Sequence, residues 1–207
     1  MQARYAAAFA FTTLACLASH AARADDAKTT ETIVMVRHGE KPADGLGQLN
    51  CQGLNRSLAL PRVIEAKFGR PDAIFAPDPA RQKDDRGTKY DYVRPLATIE
   101  PTAIYFGMPV DASIGFKDID KLVDTVLASR YKNELVVVAW EHSIVEEAAR
   151  RIVKQYGGDP KSVPKWQSPD FDSIYIVRVT KQGSKTTAAF SIEQQGLNGE
   201  STVCPGH

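Results

Sequence analysis

The sequence predicts a three-layer α/β/α sandwich, a single domain with a mostly parallel central sheet, and three observations carry that prediction. Residues 32–36 (TIVMV) and 134–140 (ELVVVAW) are β-branched and almost continuously apolar, the pattern of strands covered on both faces. Segments of helical periodicity alternate with them, which is the order of a parallel sheet. The chain has 207 residues, and what remains after a leader suits one domain with a proper core.

Residues 1–24 read as a secretory signal peptide. They hold a short basic start at Arg4, an apolar stretch over 5–18 too short to span as a stable transmembrane helix, and a small-x-small cleavage site at Ala22-Arg23-Ala24. A lipoprotein signal on Cys16 competes with this, and Thr13 stands against it, three positions upstream where an aliphatic residue is usual. The domain then covers 25–207, and export to a periplasmic or extracellular compartment is expected. Cleavage removes Arg4 and Arg23 and no acidic residue, leaving 24 Lys+Arg against 25 Asp+Glu, a net charge of −1. That balance offers no electrostatic footprint for nucleic acid or for an anionic membrane surface. Cys51 and Cys204, the two cysteines left, are an even pair in an exported chain and favour one disulfide.

Taken in order, residues 25–30 are polar and read as a loose N-terminus, followed by the buried strand at 32–36. Residues 44–53 (DGLGQLNCQG) are a glycine-rich loop. Leu54, Leu58, Leu60, Val63, Ile64 and Phe68 then recur at helical spacing until Gly69, with Pro61 marking a kink or restart. Residues 72–76 form a second strand, and 77–91 a long polar loop carrying Arg81, Lys83, Arg86 and Lys89. A helix runs from Arg94 to a glycine stop at Gly107, with Pro95 in its first turn. Residues 108–111 suggest a short strand, 117–129 an amphipathic helix and 134–140 the second buried strand. The next helix, 143–158, has Ser143 as N-cap, Glu146 as capping-box partner and Gly157 as C-cap. Residues 173–179 and 186–195 close the domain as a hairpin.

The chemistry concentrates at the ends of the two buried strands. His38 follows one and His142 follows the other, so a parallel sheet brings both to the same carboxyl-end rim, where open α/β sheets bind ligands. Arg37 adjoins His38, and Arg94 begins a helix. Guanidinium forks match tetrahedral oxyanions, and a helix N-terminus adds oriented N–H groups, so the natural guest is a phosphoryl group. There is no Cys/His cluster at metal spacing, no Walker loop and no GxGxxG, so neither a metal nor another cofactor is expected.

At this point VMVRHGEK (34–41) resembles the signature of the histidine phosphatase superfamily, also called phosphoglycerate mutase-like. LNCQGLNRSLAL resembles its Leu-Thr-x-x-Gly helix entry, RPLATIEPTA its Arg-x-x-x-Thr helix, and VVVAWEHS the strand ending on its second histidine. The resemblance implies that His38 is a nucleophile forming a phosphohistidine, while Arg37, Arg94 and His142 bind the phosphoryl oxygens. The usual Ser/Thr before the second arginine is not recognisable here, because an insertion separates the strand from Arg94. Arg81 therefore competes for that place, with Arg86 behind it. The proton donor is left open between Glu141, Asp78 and Asp111, while Glu40 and Lys41 read as rim or cap residues.

The expected activity is metal-independent hydrolysis of small-molecule phosphomonoesters. The alternatives are a non-catalytic phosphate or phosphoester-binding protein on the same fold and, behind that, a phosphomutase.

Overall fold

A computed structural model describes residues 27–206. The leader and His207 lie outside them. The elements are β1 (Thr29–Arg37), α1 (Cys51–Phe68), β2 (Ala73–Pro77), β3 (Lys83–Asp85), β4 (Thr88–Tyr90), α2 (Arg94–Phe106), β5 (Asp111–Ile114), α3 (Ile119–Val126), β6 (Leu135–Trp140), α4 (His142–Gln155), β7 (Ser173–Gln182) and β8 (Lys185–Gln194).

One six-stranded sheet has the order β5-β2-β6-β1-β7-β8. Its first four strands are parallel, and the β7–β8 hairpin joins β1 antiparallel. The two central strands, β1 and β6, are those whose sequences carry no polar face. Ile33 and Met35 pack with α3 and α4 in one core, and Val34 and Val36 pack with α1 and α2 in the other. That alternation makes three layers and confirms the predicted class. Among the described residues no helix is long and apolar enough to cross a membrane.

Several local expectations change. The loop predicted at 77–91 contains the β3–β4 hairpin, turned at Arg86 and Gly87, both at positive φ. The short strand falls at Asp111–Ile114 rather than 108–111, and α3 is shorter than predicted, a 3₁₀ turn (Ser129–Tyr131) following it. Helix α1 passes through Pro61 without restarting and begins at Cys51, where Asn50 Oδ1 accepts from Gly53 N.

The apolar stripe chosen for α1 is also rotated. Leu54 and Leu58 are exposed, and the buried face is Gly53, Arg56, Ser57, Leu60, Pro61 and Ile64. Polar residues hold that face because Arg56 has internal partners, described below. In α4 the N-cap is Glu141 rather than Ser143. Glu146 makes no capping box: its carboxylate accepts from Trp166 N and pairs with Arg150.

Cys51 and Cys204 form a disulfide, with Cα atoms 4.5 Å apart across a sequence separation of 153. The C-terminal segment it ties down is held further by Asn55 Nδ2, which donates to the carbonyls of Ser201 (2.7 Å) and Val203 (2.8 Å).

At the opposite end of β1 from the histidine, Glu31 is buried among Leu127, Tyr156 and Val179, and its Oε1 has no partner. Burial pushes this carboxyl up to about 8 from an ordinary 4.5. The folded protein thus keeps a proton that the unfolded chain loses, so the stabilisation is complete below pH 4.5 and gone above pH 8. Glu31→Gln is expected to gain ~1 kcal/mol or more over wild type between pH 5 and pH 8.5, read from urea unfolding at each pH.

Candidate functional site

The parallel register of β1 and β6 sets the site. Arg37 lies beside Trp140, and His38 N donates to Trp140 O (2.9 Å), so His38 and the Glu141–His142 pair leave the sheet together at one rim. Gly39 follows because two backbones touch there. A Cβ at Gly39 would sit 2.9 Å from Gly53 Cα and O, and one at Gly53 would sit 2.3 Å from Glu40 O.

His38 is 3 % exposed. Its Nδ1 lies 2.8 Å from Gly39 O, and a carbonyl only accepts, so Nδ1 carries the proton and Nε2 keeps its lone pair. Burial holds this imidazole well below its usual range, aided by the charges of Arg94, Arg37 and Lys83 and opposed by the Gly39 hydrogen bond. The result is a neutral ring with one free nitrogen, the form needed for nucleophilic attack.

Arg37 turns towards the loop ahead of β7. Its Nη1 donates to Ser168 O (2.5 Å) and Asp170 O (3.0 Å), and its guanidinium lies 3.8 Å above the centroid of Phe171. Burial lowers its pKa to about 10, which leaves it a cation at neutral pH. Its Nε is buried without a partner.

Arg94 opens α2, and its terminal nitrogens are taken by Asp85 of β3: Nη1 donates to Oδ2 (2.6 Å) and Nη2 to Oδ1 (3.2 Å). Both side chains are buried. Asp85 also accepts from Gly47 N (3.0 Å) and lies near Lys41 (3.8 Å); the Arg94 and Gly47 donors and the two cations hold its carboxyl down at about 2 against the opposing effect of burial. Gly45, at φ 79°, leaves room for that carboxylate, since a Cβ there would come within 2.3 Å of it. The glycine-rich loop thus wraps the Arg94–Asp85 pair. Arg94 Nε is buried and unpartnered, like that of Arg37. Thr98 Oγ1 donates to Arg94 O and accepts from Gly39 N (both 2.9 Å), joining the second arginine to the histidine loop.

His142 is the first residue of α4. Its Nδ1 is buried without a partner, and burial lowers its proton affinity, with Arg37 adding to the effect. Glu141 forms an ion pair with Lys83 of β3. The Tyr92 hydroxyl is likewise buried and unpartnered. The Tyr92 ring meets His38 edge-on at 6.2 Å, with the Arg94 guanidinium 4.9 Å and the Lys83 ammonium 5.0 Å from its centroid.

Of the residues singled out in the sequence, Arg37, His38, Arg94, Glu141 and His142 meet at this rim. Arg81 does not join them: it is 71 % exposed, 3.5 Å from the Asp78 carboxylate, and lines a surface depression with Phe116 and Lys117. Asp78 is occupied by Ala80 N and Arg81, and exposed Asp111 accepts from Ser113 N and Oγ. Glu40 binds fully buried Arg56, whose other partners are Asp172, Gln195 and Asn198. Sequence reading missed Asp85 and Tyr92, and placed Lys83 only in a bordering loop. The paired glycines Gly45 and Gly47 were the available signal for Asp85.

The rim thus holds a neutral histidine with a free ring nitrogen, together with buried arginine and histidine nitrogens that lack partners, at the carboxyl end of a parallel sheet in an α/β protein. The chain has the histidine phosphatase, or phosphoglycerate mutase-like, fold. It is similar to the structure of the phosphohistidine phosphatase SixA from Nakamurella multipartitia (TM-score 0.52, 14% identity, 79% of this chain and 95% of that one). It is also similar to mycobacterial glucosyl-3-phosphoglycerate phosphatase (TM-score 0.51, 13% identity, 78% of this chain and 97% of that one). No protein-family model and no curated protein sequence matches it.

Asp85→Asn strips the counter-charge from buried Arg94 and is expected to cost ~3–5 kcal/mol of unfolding free energy, measured by urea denaturation at pH 7. Loss of under ~1 kcal/mol would show that Arg94 finds compensation elsewhere.

Proposed function

We propose that this protein is an exported, metal-independent phosphatase that hydrolyses small phosphomonoesters through a phosphohistidine on His38. One observation carries the reading: Nδ1 of His38 is committed to Gly39 O, leaving Nε2 as a nucleophile where Arg37 Nε, Arg94 Nε and His142 Nδ1 lack partners. Buried polar groups are normally satisfied, and a tetrahedral oxyanion supplies acceptors for donors so arranged.

The steps follow from those atoms. Nε2 attacks phosphorus, and the two guanidinium groups and His142, donating through whichever ring nitrogen carries a proton, stabilise the charge spread over the equatorial oxygens. Glu141, the carboxyl at this rim that is not bound to an arginine, serves the leaving oxygen as acid and then the attacking water as base. Export is supported by the leader-like sequence of residues 1–24 and by the Cys51–Cys204 disulfide, a bond that persists in oxidising compartments. N-terminal sequencing of the secreted protein checks it, with Asp25 the expected first residue.

On a broad phosphomonoester panel, His38→Ala is expected to lose at least ~10³-fold in kcat. A wild type that hydrolyses none of the panel contradicts the reading. Because His38 resists protonation, kcat/KM should hold as pH falls through the ordinary histidine range and decline only well below pH ~6.5. A decline centred at pH ~6.5 would show an imidazole not buried as described.

A further inference from the structure

The insertion between β2 and α2 brings two charged residues to the rim: Asp85 to Arg94, and Lys83 to Glu141. The second pairing has a chemical consequence. A carboxylate bound to an ammonium has no proton to give, so in the resting protein the group placed to serve as acid is not one. Lys83 is also poorly anchored as a mere brace. Its side chain is mostly buried, burial disfavours its charge, and Glu141 is its single hydrogen-bond partner among the described residues.

Its position suits a second partner. One aromatic ring, Tyr92, is shared by Lys83, Arg94 and His38, and the Phe116 ring lies 5.9 Å from the ammonium. The ionisable groups facing Glu141 come from four directions: Arg37 at the end of β1, Lys83 from β3, Tyr92 ahead of α2, and His142 in α4.

We propose that Lys83 is a substrate-binding residue that changes partners. An arriving phosphoryl dianion draws the ammonium from Glu141 to a phosphoryl oxygen, and Glu141, left beside the dianion without its cation, takes a proton from solvent and becomes the acid. The His38 Nε2 lone pair then forms the N–P bond. The P–O bond to the leaving group breaks, its electron pair stays on that oxygen, and the Glu141 proton completes the alcohol. In the second half the Glu141 carboxylate takes a proton from water as the water oxygen attacks phosphorus. The N–P bond breaks, its pair returns to Nε2, inorganic phosphate leaves, Glu141 gives its proton back to solvent, and Lys83 returns to the Glu141 carboxylate. The device arms the acid only when a dianion is bound, so it favours phosphomonoesters over phosphodiesters, which carry one charge and cannot draw Lys83 as strongly. This inference rests on the phosphatase reading above.

The test is calorimetric binding of sulfate, a dianion that does not titrate near neutral pH, to wild type, Lys83→Met, Lys83→Arg and Glu141→Gln in buffers of different ionisation enthalpy. Wild type should take up about one proton per sulfate bound. Lys83→Met should bind about tenfold more weakly, Lys83→Arg should recover most of the loss, and Glu141→Gln should bind more tightly with no proton uptake. A structural brace would respond alike to loss of either partner, so opposite signs are the distinguishing result. Proton uptake that survives in Glu141→Gln, or unchanged affinity in Lys83→Met, overturns the exchange while leaving the anion pocket in place. A wild type that binds neither sulfate nor inorganic phosphate overturns the phosphate-site reading itself, and this inference with it.

Discussion

The site is organised by a concentration of positive charge buried at one sheet rim. Arg37 and Arg94 are both nearly inaccessible, and two histidines held towards the neutral form share the rim with them. Buried guanidinium groups persist only where hydrogen bonds and counter-charges compensate their lost hydration. Much of the surrounding architecture supplies that compensation. Asp85 neutralises Arg94, and two loop carbonyls and the Phe171 ring hold Arg37. Arg94 has both terminal nitrogens taken and Arg37 has Nη1 taken, and in both Nε is left without a partner. Under the proposed function, guanidinium groups fixed in this way and still holding a free N–H are preorganised to stabilise charge on a bound phosphoryl group.

A second charged network supports the same loop from behind. Arg56 joins Glu40, two residues past the histidine, to Asp172 at the start of β7 and to Gln195 and Asn198 of the C-terminal segment. The Cys51–Cys204 disulfide closes that segment onto the first turn of α1, the turn that also contains Gly53. Tail, helix and histidine loop therefore form one packed unit, in which Gly39 and Glu40 lie directly against Gly53. This explains why a polar face of α1 is buried and why Leu54 and Leu58 are left outside.

The parts legible in the sequence are those with a hydrophobic or motif signal. β1 and β6 read as central strands because both faces are covered, and their shared direction is enough to put His38 and His142 at one rim. Arg94 was legible through Thr98, whose hydroxyl links it to Gly39. What escaped was built from charge. β3 and β4 are three residues each and mostly polar, so they show no alternation of apolar and polar residues, and their reason for existing is the pairing of Lys83 and Asp85 across the fold. Tyr92 and Phe171 act through ring faces and carry no spacing signal. Arg81 was a reasonable rival for Arg94 by charge alone, and only the fold separates a buried arginine at a helix start from an exposed one beside Asp78.

The central claim is that Nε2 of His38 accepts the phosphoryl group. Its most direct test is rapid acid-free quenching of the protein during turnover of a phosphomonoester, followed by mass spectrometry of the peptide spanning residues 34–41. The account predicts an acid-labile, alkali-stable phosphoryl adduct on His38 that disappears as turnover ends. An adduct on His142 or on a carboxylate, or turnover that proceeds with no adduct at any time, would contradict it.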